Sequence, residues 1–585
     1  QAQFSELWHQ TYDDPTQHGY DGAFAVAVDK RGNTYITGRT QTSAHATDYI
    51  TIKYSPSGQQ LWKQPYDGGN SDGVDIAHAI AVDNDGNVYV TGESQIGPSN
   101  PYSYYGFATI KYDTNGVQKW VARVDYAATD CKAVDLAINA NSDVFVTGTK
   151  TPLSGTSDYL TVRYDTNGNQ QLGWPVAYDS GGGDDAVAIA VGPGDDVYVT
   201  GQSYNPPNGS DWRTNKYTGA GAFLWTETET GAGGYPFKDD LPTDIAVDTQ
   251  SHVYVCGVFY DGATDANAGT VCYNGDGSHH WGPIHYSYLQ GDGYDYASAL
   301  AIEPDNIGKA VHVFVTGFAD RGAITGHDYL TLRYPGVNAL THDYVNFYNT
   351  SGSVVDWSHD VSVTGNGSVY VTGQSGDDIA TLRYDKQLVQ QAVIRYTPGS
   401  TAEGRGIANT CAGKAHVAGL ANNSGHYFDC ETMIDQLSTS NFVPNSLTIE
   451  AGQNVVGNLS SVQASDDNRL TVEPGAVFFG YPVRVIVEGH SPLSSPNELC
   501  FELEASGSDL HLEQRVELYD WVSGSWAQMD LRGVTTADSV VYCAVPYDST
   551  RFVQAGTGTV KARISFQQTG AVFTYPWTGK IDYCA

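Results

Sequence analysis

The chain has 585 residues, enough for three or four ordinary domains unless a repeat builds one large one. Lys plus Arg number 30 against 66 for Asp plus Glu, a formal net charge of −36; this excludes nucleic-acid binding by phosphate neutralisation and sets anionic membrane surfaces against the chain. Only 16% of residues are charged while Gly is 65 and Tyr 40, a composition of tight turns and β-rich structure rather than of a disordered polyanion.

The sequence begins at Gln1 without Met, read here as a chain whose leader has been removed. ELWHQTYD (6–13) is an aromatic strand standing alone. From residue 23 a pattern sets in: a small-apolar run such as AFAVAVD (23–29), a polar turn, and TYITG (34–38). The last element recurs as VYVTG (88–92), VFVTG (144–148), VYVTG (197–201), VYVCG (253–257), VFVTG (313–317), VYVTG (369–373) and HVAG (416–419). Eight copies at a mean spacing near 54 residues make a repeat array. Each copy continues with a strand such as DYITIKY (48–54) or DYLTVRY (158–164), a turn such as DTNG (113–116), and an aromatic strand such as QLWKQPYD (60–67). Four short antiparallel strands per copy predict one blade of a β-propeller. The eighth copy lacks its aromatic strand, and residues 6–13 match QLWKQPYD closely. The expectation is an all-β chain: an eight-bladed β-propeller over 1–436, closed by an N-terminal strand at 4–14, with seven blades as the alternative.

AVDNDGNVYVTGES (81–94) followed by TIKYDTNGVQKW (109–120) resembles the bacterial β-propeller repeat family called SBBP, and the resemblance extends over about three quarters of the chain. It implies a secreted or cell-surface protein without a single shared reaction. The family name also implies seven blades, from which the eight anchors here depart.

From about Asn441 the repeat gives way to alternating runs including SLTIE (446–450), VRVIVEG (483–489), RVELYDWV (515–522) and VKARISF (560–566). These predict a β-sandwich, jelly-roll-like, over 437–585. Trp521, Trp526 and Trp577 could stack on a sugar, with core packing the expected role for at least two.

Eight cysteines occur without CxxC or Cys/His ligand spacing, which favours disulfides in an oxidising compartment over zinc or haem. Cys256–Cys272 is the expected pair on adjacent strands, and Cys500–Cys543 a second in the sandwich. HExxH, GxSxG, Walker and EF-hand patterns are all missing from the sequence, so no catalytic residue is assigned and the chain is read as non-enzymatic.

One set of acids keeps the repeat's period. Seventeen residues before the anchor glycines stand Asp21, Asp75, Asp184, Asp240 and Asp356, and an insertion in the sixth copy brings Asp295 into register. The third copy has Cys131 there, and the eighth has Ala402 beside Glu403. A second set, Asp48, Asp158, Asp211, Asp328 and Asp378, opens the third strands. Both sets should ring one mouth of the channel, as structural ties between blades or as a ring for a cation such as Ca²⁺ or another ligand. Turns such as DNDGN (83–87) read as hairpin turns rather than Ca²⁺ loops. The function expected is a secreted structural or interaction protein. In that reading the C-terminal domain attaches it to a surface or assembles it into a homo-polymer. The alternative is a carbohydrate-binding or carbohydrate-active protein that uses the propeller mouth, with GQSYNPPNGSDW (201–212) as the candidate loop.

Overall fold

The Thr-Gly signature follows from two contacts between backbones and hydroxyls. In the computed structural model each anchor glycine faces a first-strand residue beside a β-bulge: Gly38 opposite Ala23, Gly92 opposite Ala77, Gly373 opposite Ser358. The bulge bends the first strand so that a carbonyl leans over the glycine. A Cβ on Gly38 would lie 1.9 Å from the Gly22 oxygen, and one on Gly92 2.0 Å from the Ile76 oxygen. The preceding threonine pairs its hydroxyl with a threonine of the third strand: Thr37 with Thr51 at 3.2 Å, Thr91 with Thr109 at 3.0 Å, Thr147 with Thr161 at 3.0 Å. Such cross-strand pairs stabilise a sheet and fix its register.

The structure describes residues 4–14, 19–42, 46–69, 73–96, 104–204, 209–231, 238–261, 266–288, 293–304, 310–322, 326–336, 339–350, 355–364, 367–398, 401–410, 413–422, 429–437, 443–463, 469–474, 481–493, 499–508, 512–534, 539–545, 549–568 and 578–584. It is all-β, with three short 3₁₀ turns and no α-helix among the described residues; no helix is long and apolar enough to cross a membrane.

Seven four-stranded antiparallel sheets follow in chain order: sheet 1 (22–66), sheet 2 (75–124), sheet 3 (129–178), sheet 4 (184–229), sheet 5 (241–286), sheet 6 (295–348) and sheet 7 (356–396). Sheet 8 takes three strands, Ala402–Thr410, Lys414–Ala421 and Asp429–Leu437, and its fourth is Phe4–Tyr12, from the other end of the chain. The first strand of each sheet packs against the first strand of the next, and that of sheet 8 against that of sheet 1, so the eight form a closed ring.

The aromatic fourth strands hold the ring together at its rim. Trp62 of sheet 1 donates its indole N–H to the Thr114 carbonyl of sheet 2 at 3.1 Å, and Trp120 of sheet 2 does the same to Thr166 of sheet 3 at 3.0 Å. Trp8 of the N-terminal strand repeats the contact, donating to the Pro56 carbonyl of sheet 1 at 3.0 Å. The polar turns close on themselves. Asp83 accepts from the backbone N–H of Asp85 and Asn87 through one oxygen, and from the Asn87 amide and Tyr89 hydroxyl through the other.

After residue 443 two five-stranded antiparallel sheets follow. Val485, Leu518, Ile564 and Phe566 of one share a hydrophobic core with Val472 and Leu503 of the other. Lys30, in a turn of sheet 1, reaches Asp530 of this region at 3.1 Å.

Two expected disulfides are not formed. Cys256 faces Thr270 and Cys272 faces Tyr254, so the two thiols are diagonal neighbours. Diagonal positions stand roughly 7–8 Å apart, against the ~3.5–4.5 Å between Cβ atoms that a disulfide needs. Both are buried free thiols. Cys543 faces Phe501 rather than Cys500, and a one-residue offset turns the two side chains to opposite faces. Cys543 is free, while Cys500 is disulfide-bonded to a partner outside the six free cysteines. The tryptophan expectation is corrected as well. Trp521 and Trp526 stand outside the core, both edge-on to Tyr519 with Lys561 over one and Arg563 over the other. Trp577 lies outside the described residues.

Candidate functional site

The first-strand aspartates sit where three segments meet. One carboxylate oxygen of Asp75 accepts the N–H of Gly68, in the linker from sheet 1, at 2.9 Å; the other accepts the N–H of Gln95, near the end of the second strand of its own sheet, at 3.1 Å. Asp21 holds Asp14 and Gln41 in the same way at 2.8 and 3.0 Å, Asp240 holds Gly231 and Tyr260 at 2.7 Å each, and Asp295 holds Tyr288 and Asp320 at 2.7 and 3.2 Å. Asp356 accepts from the Thr350 backbone at 3.2 Å and from the Ser375 hydroxyl. Asp184 takes both the backbone N–H and the hydroxyl of Ser180, at 2.7 and 2.8 Å. Burial pushes the carboxyls of Asp21, Asp75 and Asp356 upward, and that of Asp240 to about 6. Cys131, at the same position in sheet 3, is a buried free thiol, and Glu403 pairs with His359 at 2.8 Å and Arg405 at 2.8 Å.

The third-strand aspartates join them at the junctions between sheets, to differing degrees. Asp48 and Asp75 meet across the junction of sheets 1 and 2, and Asp158 and Asp184 across that of sheets 3 and 4. A third carboxylate completes each group: Asp67 in the first and Asp179 in the second. The junction of sheets 8 and 1 carries the same trio as Asp429, Asp13 and Asp21. Within each trio one oxygen per residue lies within 4.8 Å of the others. Burial, with the charges of Asp67 and Asp75, lifts the Asp48 carboxyl to about 6. Elsewhere a cation or amide stands in for a trio member. Arg321 binds Asp328 at 3.0 Å beside Asn349, and Arg395 binds Asp378 at 2.6 Å. Asp211 is buried near Asp240. The third member was legible in the sequence, since Asp13, Asp67 and Asp179 each follow the tyrosine that ends a fourth strand. Of the candidate loop at 201–212, residues 205–208 lie outside the described residues.

A second acidic set lies deeper on the first strands. Asp135, Asp244 and Asp360 belong to sheets 3, 5 and 7, just after the bulge, where sheets 1, 2, 4 and 6 have Ala25, Ala79, Ala188 and Ala299. Each accepts the N–H of its own successor and one from the next sheet: Ile189 to Asp135 at 3.0 Å, Leu300 to Asp244 at 2.8 Å, Ile407 to Asp360 at 2.8 Å. Burial raises Asp135 and Asp360 to about 6 and Asp244 to about 7, and the charges of Asp360 and Asp135 add to the last. An Asp inside a small-apolar run was the signal.

On sheets 6 and 7, next in sequence to Asp295 and Asp356, aromatic rings stack. Tyr296 lies on Phe318 at 5.5 Å and 6°, and Phe318 on Trp357 at 5.3 Å and 21°; the Trp357 indole donates to His327 at 3.2 Å.

Residues 68–98, the linker into sheet 2 and its first two strands, match the family model described as SBBP, beta-propeller repeat. That segment is similar to one copy of the SBBP β-propeller repeat. No curated protein sequence matches it. Solved structures similar to it include the WD40 domain of SCAP from fission yeast, at 8% identity and TM-score 0.40, covering 73% of this chain and 98% of that one. A protein of unknown function from Dyadobacter fermentans matches at 10% identity and TM-score 0.35, covering 74% of this chain and 99% of that one. Polysaccharide lyase Uly1 matches at 10% and 0.37, covering 74% and 100%. Likeness at this level carries no argument about chemistry.

Proposed function

We propose that the chain is an extracellular, non-enzymatic scaffold. In this reading the eight four-stranded sheets are the blades of one β-propeller over 1–436, sealed by strand 4–14, and residues 437–585 form a β-sandwich that attaches the propeller to a surface or to further copies. The observation that carries the reading is how the periodic aspartates are used: their oxygens are spent on backbone N–H groups that tie one sheet to the next. Repeated polar residues that hold a frame together are what a rigid display scaffold requires. Two measurements test it. Deleting residues 1–15 should strip sheet 8 of its fourth strand and lower the melting temperature sharply; a truncated protein that melts like the full chain refutes the sealed propeller. Light scattering across salt and Ca²⁺ titrations should reveal association, because a net charge of −36 opposes close packing until it is screened; a strict monomer throughout removes the assembly role and leaves surface attachment.

A second reading, binding of a neutral glycan at the mouth, has one observation in its favour. The half-buried rings of Tyr296, Phe318 and Trp357 form a stacked platform of the kind that sugar faces pack upon. Retardation in gels containing neutral polysaccharide, abolished by Trp357→Ala, would establish it, and equal mobility with and without polysaccharide would dismiss it.

A further inference from the structure

Among the three carboxylate trios, the one between sheets 3 and 4 differs in a single buried atom. In sheets 2, 4 and 7 the first-strand aspartate faces a serine: Asp75 opposite Ser94, Asp184 opposite Ser203, Asp356 opposite Ser375. Residues directly opposite on antiparallel strands present their side chains to the same face, so each serine hydroxyl points toward its aspartate's junction. Ser94 and Ser375 are both satisfied there: Arg123 donates to the Ser94 hydroxyl at 2.8 Å, and Arg395 to that of Ser375 at 2.8 Å. These arginines face Ala108 and Ala380, the partners of the anchor glycines. The same register position in sheet 4 is Thr228, opposite Arg213. No arginine enters from that strand, and the Ser203 hydroxyl is completely buried without a hydrogen-bond partner. The trio between sheets 8 and 1 lacks this feature, because its equivalent hydroxyl, on Thr40, contacts Tyr12 at 3.4 Å.

An orphaned buried hydroxyl is costly, and here it adjoins three carboxylates whose oxygens converge. We propose that Asp158, Asp179 and Asp184, with the Ser203 hydroxyl, form a binding site for a hard divalent cation of the Ca²⁺ class at the junction of sheets 3 and 4. One oxygen from each aspartate lies within 4.8 Å of the others, the span of donors around one ion with oxygen bonds of about 2.3–2.6 Å. The donors are all oxygen, which suits Ca²⁺ rather than a softer transition metal. Asp184 is already oriented by Ser180, and the Gly181 N–H fixes Asp179 at 2.7 Å. Arg213, on the third strand of sheet 4, holds its guanidinium over the Tyr178 ring beside this junction, and the cation in ion-pair contact with the trio is Lys150, whose ammonium stands 3.6 Å from Asp158. It competes with the ion and, being partly exposed, can swing into solvent when the ion enters. The ion would join sheet 3, which supplies Asp158 and Asp179, to sheet 4, which supplies Asp184 and Ser203.

Calorimetric titration of the chelator-stripped full chain with CaCl₂ tests the site. The expected result is at least one saturable equivalent, weakened about tenfold or more by Asp179→Asn and by Ser203→Ala and tightened by Lys150→Met. Asp125→Asn, at the junction of sheets 2 and 3 where Gly106 and Cys131 replace the other two acids, should leave the isotherm as it is. Absence of Ca²⁺ binding up to about 10 mM, ten times the weakest extracellular calcium modules, overturns the proposal. So does an isotherm that either Asp179→Asn or Ser203→Ala leaves unchanged. Circular dichroism of each variant separates loss of the ion from loss of the fold.

Discussion

Replacing Asp244 by Asn should change how stability depends on pH. Asp244 lies on the first strand of sheet 5 and accepts the N–H of Ile245 at 2.7 Å and of Leu300 in sheet 6 at 2.8 Å. Burial first, and then the charges of Asp360 and Asp135, raise its carboxyl from 3.8 to about 7. A carboxyl raised on folding binds its proton more tightly in the folded state. Its contribution is therefore complete below the unfolded value near 3.8 and is lost as pH rises through about 7. Between pH 8 and pH 5 the folded chain takes up this proton and the unfolded chain does not. Two pH units at ~1.4 kcal/mol each give an upper bound of about 3 kcal/mol, and screening at a half-buried position reduces this to about 1–2 kcal/mol. Asn keeps the shape and one acceptor but cannot titrate. Wild type should thus gain about 1–2 kcal/mol on the variant as pH falls from 8 to 5, a divergence of melting midpoints of roughly 1–3 °C in a chain this size. The difference between the proteins is the readout, because His78, His342 and His416, held below their ordinary value by burial, move stability the opposite way in both. Parallel midpoint curves over pH 5–8 would refute the assignment of a protonated Asp244.

Asp75→Ala leaves the N–H groups of Gly68 and Gln95 without their acceptor and should destabilise by about 1–3 kcal/mol in urea unfolding; unchanged stability, with loss of a bound cation instead, would reverse the structural account of that aspartate. Gly92→Ala places a Cβ 2.0 Å from the Ile76 oxygen and should cost about 1–3 kcal/mol or more, whereas Gly533→Ala, with nothing within 4 Å, should be nearly neutral by the same assay. Alkylation of the unfolded, unreduced chain followed by peptide mapping should label Cys256 and Cys272 as free thiols; a peptide joining the two would contradict the register of sheet 5.

The repeat made much of the sheet architecture legible, for a reason visible at single residues. Gly38, Gly92 and their equivalents are demanded by a carbonyl lying about where a Cβ would go, so each sheet stamps the same letter on the sequence at the same interval. Fourth-strand tryptophans such as Trp8 and Trp62 do the same through a turn carbonyl of the next sheet. What period and spacing could not give was anything depending on which neighbour fills a gap. The Tyr-Asp ending of these fourth strands is readable in the sequence, but that Asp67 and Asp179 converge with two other carboxylates shows only once sheets are set side by side, and the Ser203 hydroxyl lacks a partner at a junction where Thr228 stands in the place that two other sheets give to arginine. The cysteine pairing failed at a finer level: Cys256 and Cys272 share a face, but two residues of register separate them.

Sheet 8 shows what a seam adds to a repeat. Its fourth strand comes from the far end of the chain, with His9 some 422 residues from Glu431, whereas in the other sheets the third and fourth strands are consecutive in the chain. By the logarithmic cost of loop closure this pairing is dearer than a hairpin by roughly 4 kcal/mol when formed from the open chain. The ordinary rim contact of Trp8 is present, and the seam carries further chemistry. Glu431 stands where sheets 1, 3 and 6 place Ile50, Leu160 and Leu330, opposite the anchor glycine. Its completely buried carboxylate binds the His9 imidazole and accepts the Thr11 hydroxyl at 3.1 Å. Burial opposes charge on His9, but the bond to Glu431 and its charge hold the imidazole above its ordinary value. A buried acid met by a base at one position is a poor source of raw stability and a good one of register. A strand slipped by one residue would turn His9 to the other face and leave Glu431 unpaired. An apolar Ile or Leu at the same place would accept many strands. The Glu431–His9 pair makes the edge of sheet 8 selective for the strand that carries His9.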